Sequence, residues 1–184
     1  MELSVAVVRH PLTDVVITGG IQCGEVYVSG VTVGKHAGEV LTSLTRDGAR
    51  NQDELAGVVD KVAGFLSGEH TDLSQLPVAI NDRTAFQKKV LTAARRIPYG
   101  TTCSYAELAK RAESPMAVRA VASVMRRNPV ALLIPCHRII RSDGTIGGYC
   151  GSLTGEDVLL KQRLLAMEAP AAYSLQGKPS FNRQ

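Results

Sequence analysis

The pattern of apolar residues divides the chain into a strand-rich first part and a helical second part. Segments rich in valine and isoleucine predict three strands: Leu3–Val8, Val15–Thr18 and Val26–Val33. The pair Gly19-Gly20 is expected to end the second strand. Apolar residues with helical spacing then predict a helix that ends near Gly68: Leu55, Val58, Val59, Val62, Phe65 and Leu66. Residues 1–80 are therefore predicted to form a small sheet-plus-helix domain with a structural role.

Two helices are predicted at the start of the second part. An amphipathic stretch that begins near Phe86 ends before the turn Pro98–Gly100. Ser104 and Glu107 then have the spacing of a capping box, in which the hydroxyl caps a backbone N–H and the carboxylate reaches back. The helix that they begin is expected to run to about Ala112.

A further helix completes the outline of a helix-turn-helix. Ser114 is expected to cap it, with Pro115 in its first turn, and it continues to about Arg127. The helix carries both arginines and small residues: Arg119, Ala120, Ala122, Ser123 and Arg126. Arginines neutralise phosphates and small residues permit close approach, which is typical of nucleic-acid binding. The alternative is an ordinary helical hairpin with Met125 and the valines in its core, and the two readings use opposite faces.

The distribution of charge favours a polyanionic partner. Residues 1–82 carry 5 basic and 11 acidic residues, a balance of −6. Residues 83–141 carry 12 basic and 2 acidic residues, a balance of +10, and residues 142–184 carry 4 of each, which gives the net +4. A segment this basic suggests binding to a polyanion, although a solvated basic face remains the alternative.

The cysteines and the apolar runs exclude several classes of protein. The four cysteines form no C-x-x-C pair and the histidines are scattered, so no metal site or disulfide framework is predicted. No apolar run is long enough to span a bilayer, and the N-terminus lacks the features of a signal peptide. We therefore expect an intracellular protein without membrane contact, cytoplasmic in a prokaryote or nuclear in a eukaryote.

Cys136 is the candidate nucleophile. It stands beside His137 and Arg138, and positive surroundings depress a thiol pKa and so favour the reactive thiolate. Neighbouring side chains of an extended chain point to opposite faces, so His137 need not touch the sulfur. From these residues alone, a buried and inert cysteine stays an alternative.

The segment Ile134–Arg138, followed by Ile139-Ile140, resembles the active-site motif of the O6-alkylguanine-DNA alkyltransferases. The similarity runs from about Thr84 to Glu168. It includes further motifs in matching order: Phe86-Gln87, Ile97–Thr101, Ser104-Tyr105, Val118–Val121, Arg126, Asn128-Pro129, Gly147–Tyr149 and Leu164–Ala166.

The resemblance implies an α/β fold of two domains. Residues 1–80 would form the small N-terminal RNase H-like domain, and residues 84–170 a mostly helical winged helix-turn-helix domain that binds DNA and carries the cysteine. Residues 171–184 are expected to form a disordered tail.

The activity implied by the resemblance is DNA repair by direct reversal. The alkyl group of O6-alkylguanine, and of O4-alkylthymine, would pass irreversibly to Cys136 after the nucleotide is flipped out of double-stranded DNA. The protein would act once, as a monomer and without a cofactor. Two alternatives are a non-catalytic sensor of alkylguanine, whose known examples lack the cysteine, and an unrelated cysteine hydrolase that uses Cys136 and His137.

The resemblance also assigns roles to single residues. Cys136 would accept the alkyl group, while His137, held by Glu168, would reach it through a water molecule. Tyr105 would help rotate the target phosphate and would donate a hydrogen bond to the base, and Arg119 would fill the place of the flipped nucleotide. Further residues are expected at the DNA: Ala120, Ser123 and Arg126. Others are expected at the base pocket: Met125, Asn128, Ile139, Tyr149, Cys150 and Gly151.

Two departures from the family pattern stand near the pocket. The segment between Tyr149 and Glu168 is longer than usual, centred on Thr154–Val158. Cys150 occupies a position where a serine or a bulkier polar residue is commoner. One hypothesis is that this second thiol also captures alkyl groups, and the alternative is that it is a spectator.

Overall fold

The computed structural model describes residues 3–46, 50–51 and 53–173. Most of the predicted tail, residues 174–184, lies outside the described residues. The chain forms two units. The first comprises Met1–Asp82 with Pro129–Leu133, and the second comprises Arg83–Asn128 with Ile134–Gln184.

The first unit contains a four-stranded sheet in the order β3-β2-β1-β4. Its strands are β1 (Ser4–Val8), β2 (Val15–Gln22), β3 (Glu25–Val33) and β4 (Arg50–Asn51). The three long strands are antiparallel neighbours, and β4 pairs in parallel with β1. The prediction that Gly19-Gly20 ends the second strand is wrong, because β2 continues through the glycines with a register shift after Thr18. The turn lies instead at Cys23-Gly24, where φ is +54° and +81°.

Two helices accompany this sheet. The predicted helix is present as α2 (Ala56–Leu66), which buries Val58, Val62, Phe65 and Leu66. Another helix, α1 (His36–Arg46), was not predicted from the sequence. Val40, Leu41 and Leu44 of α1 pack against a core formed by Val5, Val16 and Ala37. The segment Pro129–Leu133 also belongs to this unit, since its backbone pairs with Val31 of β3.

The second unit is mostly helical. Its helices are α3 (Ala85–Arg95), α4 (Tyr105–Arg111), α5 (Val118–Arg126) and α6 (Glu156–Glu168), and a short parallel pair joins β5 (Cys103–Ser104) to β6 (Ile139–Ile140). The cap at Ser104 is present, because its hydroxyl accepts the Glu107 N–H at 3.1 Å. The second half of the predicted capping box is absent, because the Glu107 carboxylate pairs with Arg111. The predicted start of the next helix at Ser114 is wrong, since residues 114–117 form a turn and α5 begins at Val118.

The helices α4 and α5 pack against each other and against α3, in the arrangement of a helix-turn-helix. Within the described parts of the chain, no helix has the length and apolar character needed to cross a membrane.

Candidate active site

Cys136 lies in a short turn whose backbone is held from both sides. Pro135 has φ −79° and ψ 69°, and the Cys136 N–H donates to the Ile134 carbonyl at 2.8 Å, which is the geometry of an inverse γ-turn. The amide Nδ2 of Asn128 donates to the same carbonyl, also at 2.8 Å. These bonds fix the thiol of Cys136, a residue that is only 8% exposed. Asn128 therefore braces the turn that carries the thiol.

His137 and Glu168 form a buried pair behind the cysteine. The His137 Nε2 lies 2.8 Å from Glu168 Oε1, and both side chains are almost fully buried, at 0% and 1% exposure. Glu168 is the last residue of α6, so this contact joins the end of that helix to the turn that carries Cys136. The structure thus brings together the three residues for which the sequence predicted a relay.

Arg138 completes this cluster, and its role was missed by the sequence analysis. Its Nε and Nη2 donate to the Glu168 carboxylate at 2.8 to 3.1 Å, and its Nη1 donates to the Ile97 carbonyl at 2.7 Å. The guanidinium also lies 5.7 Å from the ring centroid of Tyr99. The signal was present in the sequence, since the arginine follows the histidine directly and a buried carboxylate requires a cation.

The turn before α4 also binds the Glu168 carboxylate. Gly100 has φ +71° and its N–H donates to Glu168 Oε2 at 3.2 Å. A Cβ at Gly100 would lie 3.2 Å from the Glu168 carbonyl oxygen, so a side chain there would be both strained and crowded. The turn at residues 97–100 is therefore part of the support for the His137–Glu168 pair.

The surroundings of the thiol differ from the sequence expectation. Burial raises the pKa of Cys136, whereas the side chain of Asn128, the charge of Lys161 and the backbone N–H groups of Cys136 and His137 act to lower it. The predicted contribution of Arg138 is absent because its guanidinium is bound to a carboxylate. The expectation that the neighbouring cations depress the thiol pKa is therefore wrong in direction. The resting thiol keeps its proton and needs an acceptor when it reacts.

His137 is arranged to be that acceptor. Burial lowers the pKa of its imidazole, although Glu168 acts to raise it, so the ring is neutral near pH 7. The ionised carboxylate of Glu168 can only accept hydrogen bonds, so the proton of the neutral ring resides on Nε2. The lone pair is then on Nδ1, which can take up a proton.

The pKa of Glu168 leads to a prediction of how the free energy of unfolding depends on pH. Burial raises its pKa, but the hydrogen bonds and charges of His137 and Arg138 outweigh burial and lower it to about 2, from 4.5. Because the folded-state pKa is the lower one, the stabilisation is complete above pH 4.5 and is lost as the pH falls towards 2. Between pH 5 and pH 3, this carboxylate should contribute a loss of about 2 kcal/mol in the free energy of unfolding.

Urea unfolding at both pH values compares the protein with Glu168→Gln. The variant should be less stable at pH 5, since it leaves the cation of Arg138 buried without a charged partner. Its further loss on acidification should be about 2 kcal/mol smaller than that of the unmodified protein. Glu156→Gln removes an exposed carboxylate from the first turn of the same helix and serves as the control. Equal acid losses in the protein and in Glu168→Gln would contradict the assigned pair.

The thiol faces a cavity of about 400 Å³. One side is formed by α4 and α5, and the other by the glycine-rich loop after β6. The residues that line it are Tyr105, Val118, Arg119, Ala122, Met125, Arg126, Cys136, Arg141 and Gly147–Leu153. A cavity of this size can hold a small molecule or a single base that has left its stack.

Tyr105 is the polar residue that α4 contributes to this cavity. It is the first residue of the helix, directly after the cap at Ser104. Burial raises the pKa of the Tyr105 hydroxyl, and the nearby Cys136 raises it further. The hydroxyl therefore keeps its proton near neutral pH and can donate a hydrogen bond to a ligand in the cavity.

The helix α5 presents one face to solvent and another to the core. Val121 and Met125 are buried, whereas the exposed residues recur along one side: Arg119, Ala120, Ser123, Arg126 and Arg127. Arg119 and Arg126 also line the cavity, so the exposed face of the helix continues into its mouth. Ala120 and Ser123 lie on this face, outside the cavity lining.

A second buried cation, Lys161, was also missed. Its Nζ donates to the carbonyls of Ile139, Ile146 and Gly148 at 2.5, 2.8 and 3.2 Å. Burial lowers its pKa to about 8, from 10.5. The lysine ties α6 to the strand and loop next to the cavity, and its charge favours the thiolate of Cys136. No short motif marked it, because its three partners are backbone oxygens far away in the sequence.

Two of the predicted pocket residues, Asn128 and Ile139, do not line the cavity. Asn128 holds the turn of Cys136 instead. Ile139 lies beside that turn. It is fully buried in β6, where its N–H donates to the Cys136 carbonyl and its own carbonyl accepts Lys161. Tyr149, Cys150, Gly151 and Met125 do line the cavity. All four cysteines are free thiols, and within the described ranges no group of three or more His, Cys, Asp or Glu residues could hold a metal ion.

Comparison with known proteins gives one consistent result. A family model described as the 6-O-methylguanine DNA methyltransferase DNA-binding domain matches residues 85–170. The methylated-DNA–protein-cysteine methyltransferase of Mycolicibacterium paratuberculosis is 37% identical over 129 residues, which cover 68% of this chain and 73% of that protein. Its namesake from Methanothermobacter thermautotrophicus is 42% identical over 122 residues, 66% of this chain and 63% of that protein.

Solved structures agree in fold. The O6-methylguanine methyltransferase of Mycobacterium tuberculosis matches 94% of this chain and 96% of its own, with a TM-score of 0.72 and 26% identity. The structure of the same organism's protein in complex with DNA matches 93% of this chain and 96% of its own, with a TM-score of 0.72 and 27% identity.

The fold and the buried cysteine cluster thus define a cysteine-centred alkyltransferase with a helix-turn-helix. The chain belongs to the family of methylated-DNA–protein-cysteine methyltransferases, the O6-alkylguanine-DNA alkyltransferases.

Proposed function

We propose that the protein repairs alkylated DNA by moving the alkyl group from the O6 of guanine to the sulfur of Cys136, once per molecule. The observation that carries the proposal is the placement of this thiol. It faces a base-sized cavity, and it lies in the same turn as His137, which is paired with Glu168. Relatives named for this activity, and the complex of one similar protein with DNA, support it.

The chemistry requires one proton acceptor and one leaving group. The Cys136 thiol gives its proton through an intervening water to Nδ1 of His137, while Nε2–H stays bound to Glu168. The thiolate forms a bond to the alkyl carbon as the bond from that carbon to O6 breaks, and the electron pair leaves with the guanine. The Tyr105 hydroxyl, which keeps its proton, donates to the base and so stabilises the departing anion before it is protonated.

The product explains why one molecule acts once. A thioether has no leaving group that water can displace readily, so Cys136 is not regenerated and no cofactor is needed. The same attack applies to an alkyl group on O4 of thymine, because that alkyl group is also bonded to an exocyclic oxygen of the base. Enzymes that act on a single base take it out of the duplex. The proposed substrate is cellular DNA, so the proposed location of the protein is inside the cell.

The exposed face of α5 is the proposed contact with double-stranded DNA. Arg126 would bind phosphate, while the small side chains of Ala120 and Ser123 let the helix approach the groove closely. Arg119 stands between this face and the cavity, which suits a side chain that replaces the flipped nucleotide in the stack. A lesion sensor without chemistry is not favoured, because it leaves the thiol and the pair behind it without a purpose.

The two thiols of the cavity provide a direct test of the acceptor. Burial, together with the nearby Cys136 and Asp157, raises the pKa of Cys150 far above its usual range, so its thiol stays protonated. The hydrogen bond with the Tyr149 side chain and the charge of Lys161 act to lower this pKa but do not outweigh burial. After reaction with O6-benzylguanine, peptide mass spectrometry should therefore find the benzyl group on Cys136 alone.

The hypothesis that Cys150 also captures alkyl groups predicts a second labelled peptide, and detection of one would support that hypothesis. Cys150→Ala is the matched control and should retain the label on Cys136. Label on Cys150 with none on Cys136 would refute the proposed acceptor.

A further inference from the structure

The loop after β6 ends in a tight turn that forms one wall of the cavity. Tyr149 and Ser152 exchange both backbone hydrogen bonds at 2.9 Å. Cys150 and Gly151 between them have φ of +46° and +86°, as in a type I′ turn. A left-handed conformation is costly for a residue with a side chain, so Cys150 keeps it only where its surroundings hold it in place.

The turn is packed closely against the preceding glycine. A Cβ at Gly148 would lie 2.5 Å from the Ser152 carbonyl oxygen. This distance is too short for a contact, so any side chain at this position would force the backbone to move. All of residues 147–153 line the cavity together with Cys136. A shift of this turn therefore changes the space that is open to a base and its alkyl group.

Asp157 is the group on α6 that reaches this turn. Its Oδ2 accepts the Ser152 hydroxyl at 2.5 Å, and the residue is only 2% exposed. One helical turn later, Lys161 holds the Gly148 carbonyl. Two buried charged residues of the same helix thus hold the loop, one at Gly148 and the other at Ser152. An acid placed only to favour the helix dipole would have no need of burial, and Glu156 beside it is exposed.

We propose that Asp157 is a positioning residue that, through Ser152, holds the Tyr149–Ser152 turn in the shape of the base pocket and so sets the affinity for bulky O6-alkylguanines. This inference rests on the proposed alkyl transfer. Asp157 acts on the wall of the cavity, whereas the thiol and its relay are held by Asn128 and Glu168. Its loss should therefore weaken binding of the base and leave the chemical step unchanged.

The test measures single-turnover reaction with free O6-benzylguanine over a range of concentrations. Asp157→Ala should raise the half-saturating concentration about tenfold, the effect of losing a buried hydrogen bond to a charged group, with the limiting rate within about twofold. Ser152→Ala, which removes the other partner, should raise it in the same direction. Asp157→Asn retains an acceptor oxygen and should restore most of the affinity.

Glu156→Ala is the matched control, because it removes an exposed acid from the same helical turn, and it should behave as the unmodified protein. A merely structural role of Asp157 would lower the fraction of protein that reacts and leave the half-saturating concentration unchanged, which would overturn the inference. A fall in the limiting rate of Asp157→Ala with an unchanged half-saturating concentration would also overturn the inference. If the unmodified protein transfers no benzyl group at all, the proposed function fails instead.

Discussion

Replacing Cys136 with alanine should abolish alkyl transfer and leave binding to double-stranded DNA within about twofold, because the sulfur is the proposed acceptor and the exposed face of α5 is the proposed DNA contact. The change removes one atom from a buried turn whose backbone bonds to Ile134 and Asn128 remain. Transfer is measured as the mass of the protein after exposure to an O6-methylguanine duplex, and binding as retention of the same duplex.

Cys103→Ala is the matched control for this experiment. Cys103 is also buried, and burial raises its pKa to about 11, but it lies in β5 and not in the cavity lining. The control should react as the unmodified protein does. Transfer that persists in Cys136→Ala would refute the assigned acceptor, and loss of both transfer and DNA binding would assign the cysteine a structural role.

Replacing Arg119 with alanine should slow repair in a duplex about 10- to 100-fold, since the flipping of a base costs a few kcal/mol and this side chain is proposed to offset part of that cost. Reaction with free O6-benzylguanine needs no flipping and should change by no more than about twofold. The measurement is the single-turnover rate on each of the two substrates.

Arg127→Ala controls for the loss of positive charge. Arg127 is exposed at the end of the same helix and does not line the cavity. Its removal should weaken DNA binding only through the loss of a phosphate contact. The repair rate at saturating DNA should change little. Equal slowing of Arg119→Ala on the duplex and on the free base would contradict the proposal that Arg119 replaces the flipped nucleotide.

The sequence predicted the cysteine turn and its partners better than it predicted the boundaries of the elements. Cys136 and His137 belong to one short motif, and Glu168 was assigned through the ending Leu164–Glu168 although the segment before it is longer than usual. The fold pairs His137 with Glu168. By contrast, α1 was missed although its apolar residues have helical spacing, because the glycines and threonines around it resemble a loop. Ser114 looked like a cap, yet its carbonyl accepts the Ala117 N–H in a turn before the helix.

The electrostatics of the site could not be predicted from which residues are neighbours in the sequence. Arg138 stands two positions after the cysteine but is directed to Glu168, while the cation that favours the thiolate is Lys161, distant in the sequence. Burial, which the one-dimensional pattern does not report, decides the direction of the thiol pKa. The brace from Asp157 to Ser152 also depends on where the longer segment before α6 folds, which its loop-like sequence does not specify.

The most direct test of alkyl transfer to Cys136 is the intact mass of the protein after mixing with a duplex that carries one O6-methylguanine. We expect that one methyl group replaces the thiol hydrogen in each molecule, that excess duplex adds no more, and that Cys136→Ala gains nothing. An unchanged mass, with the damaged duplex still bound, would contradict alkyl transfer and would identify a protein that recognises the lesion without repairing it.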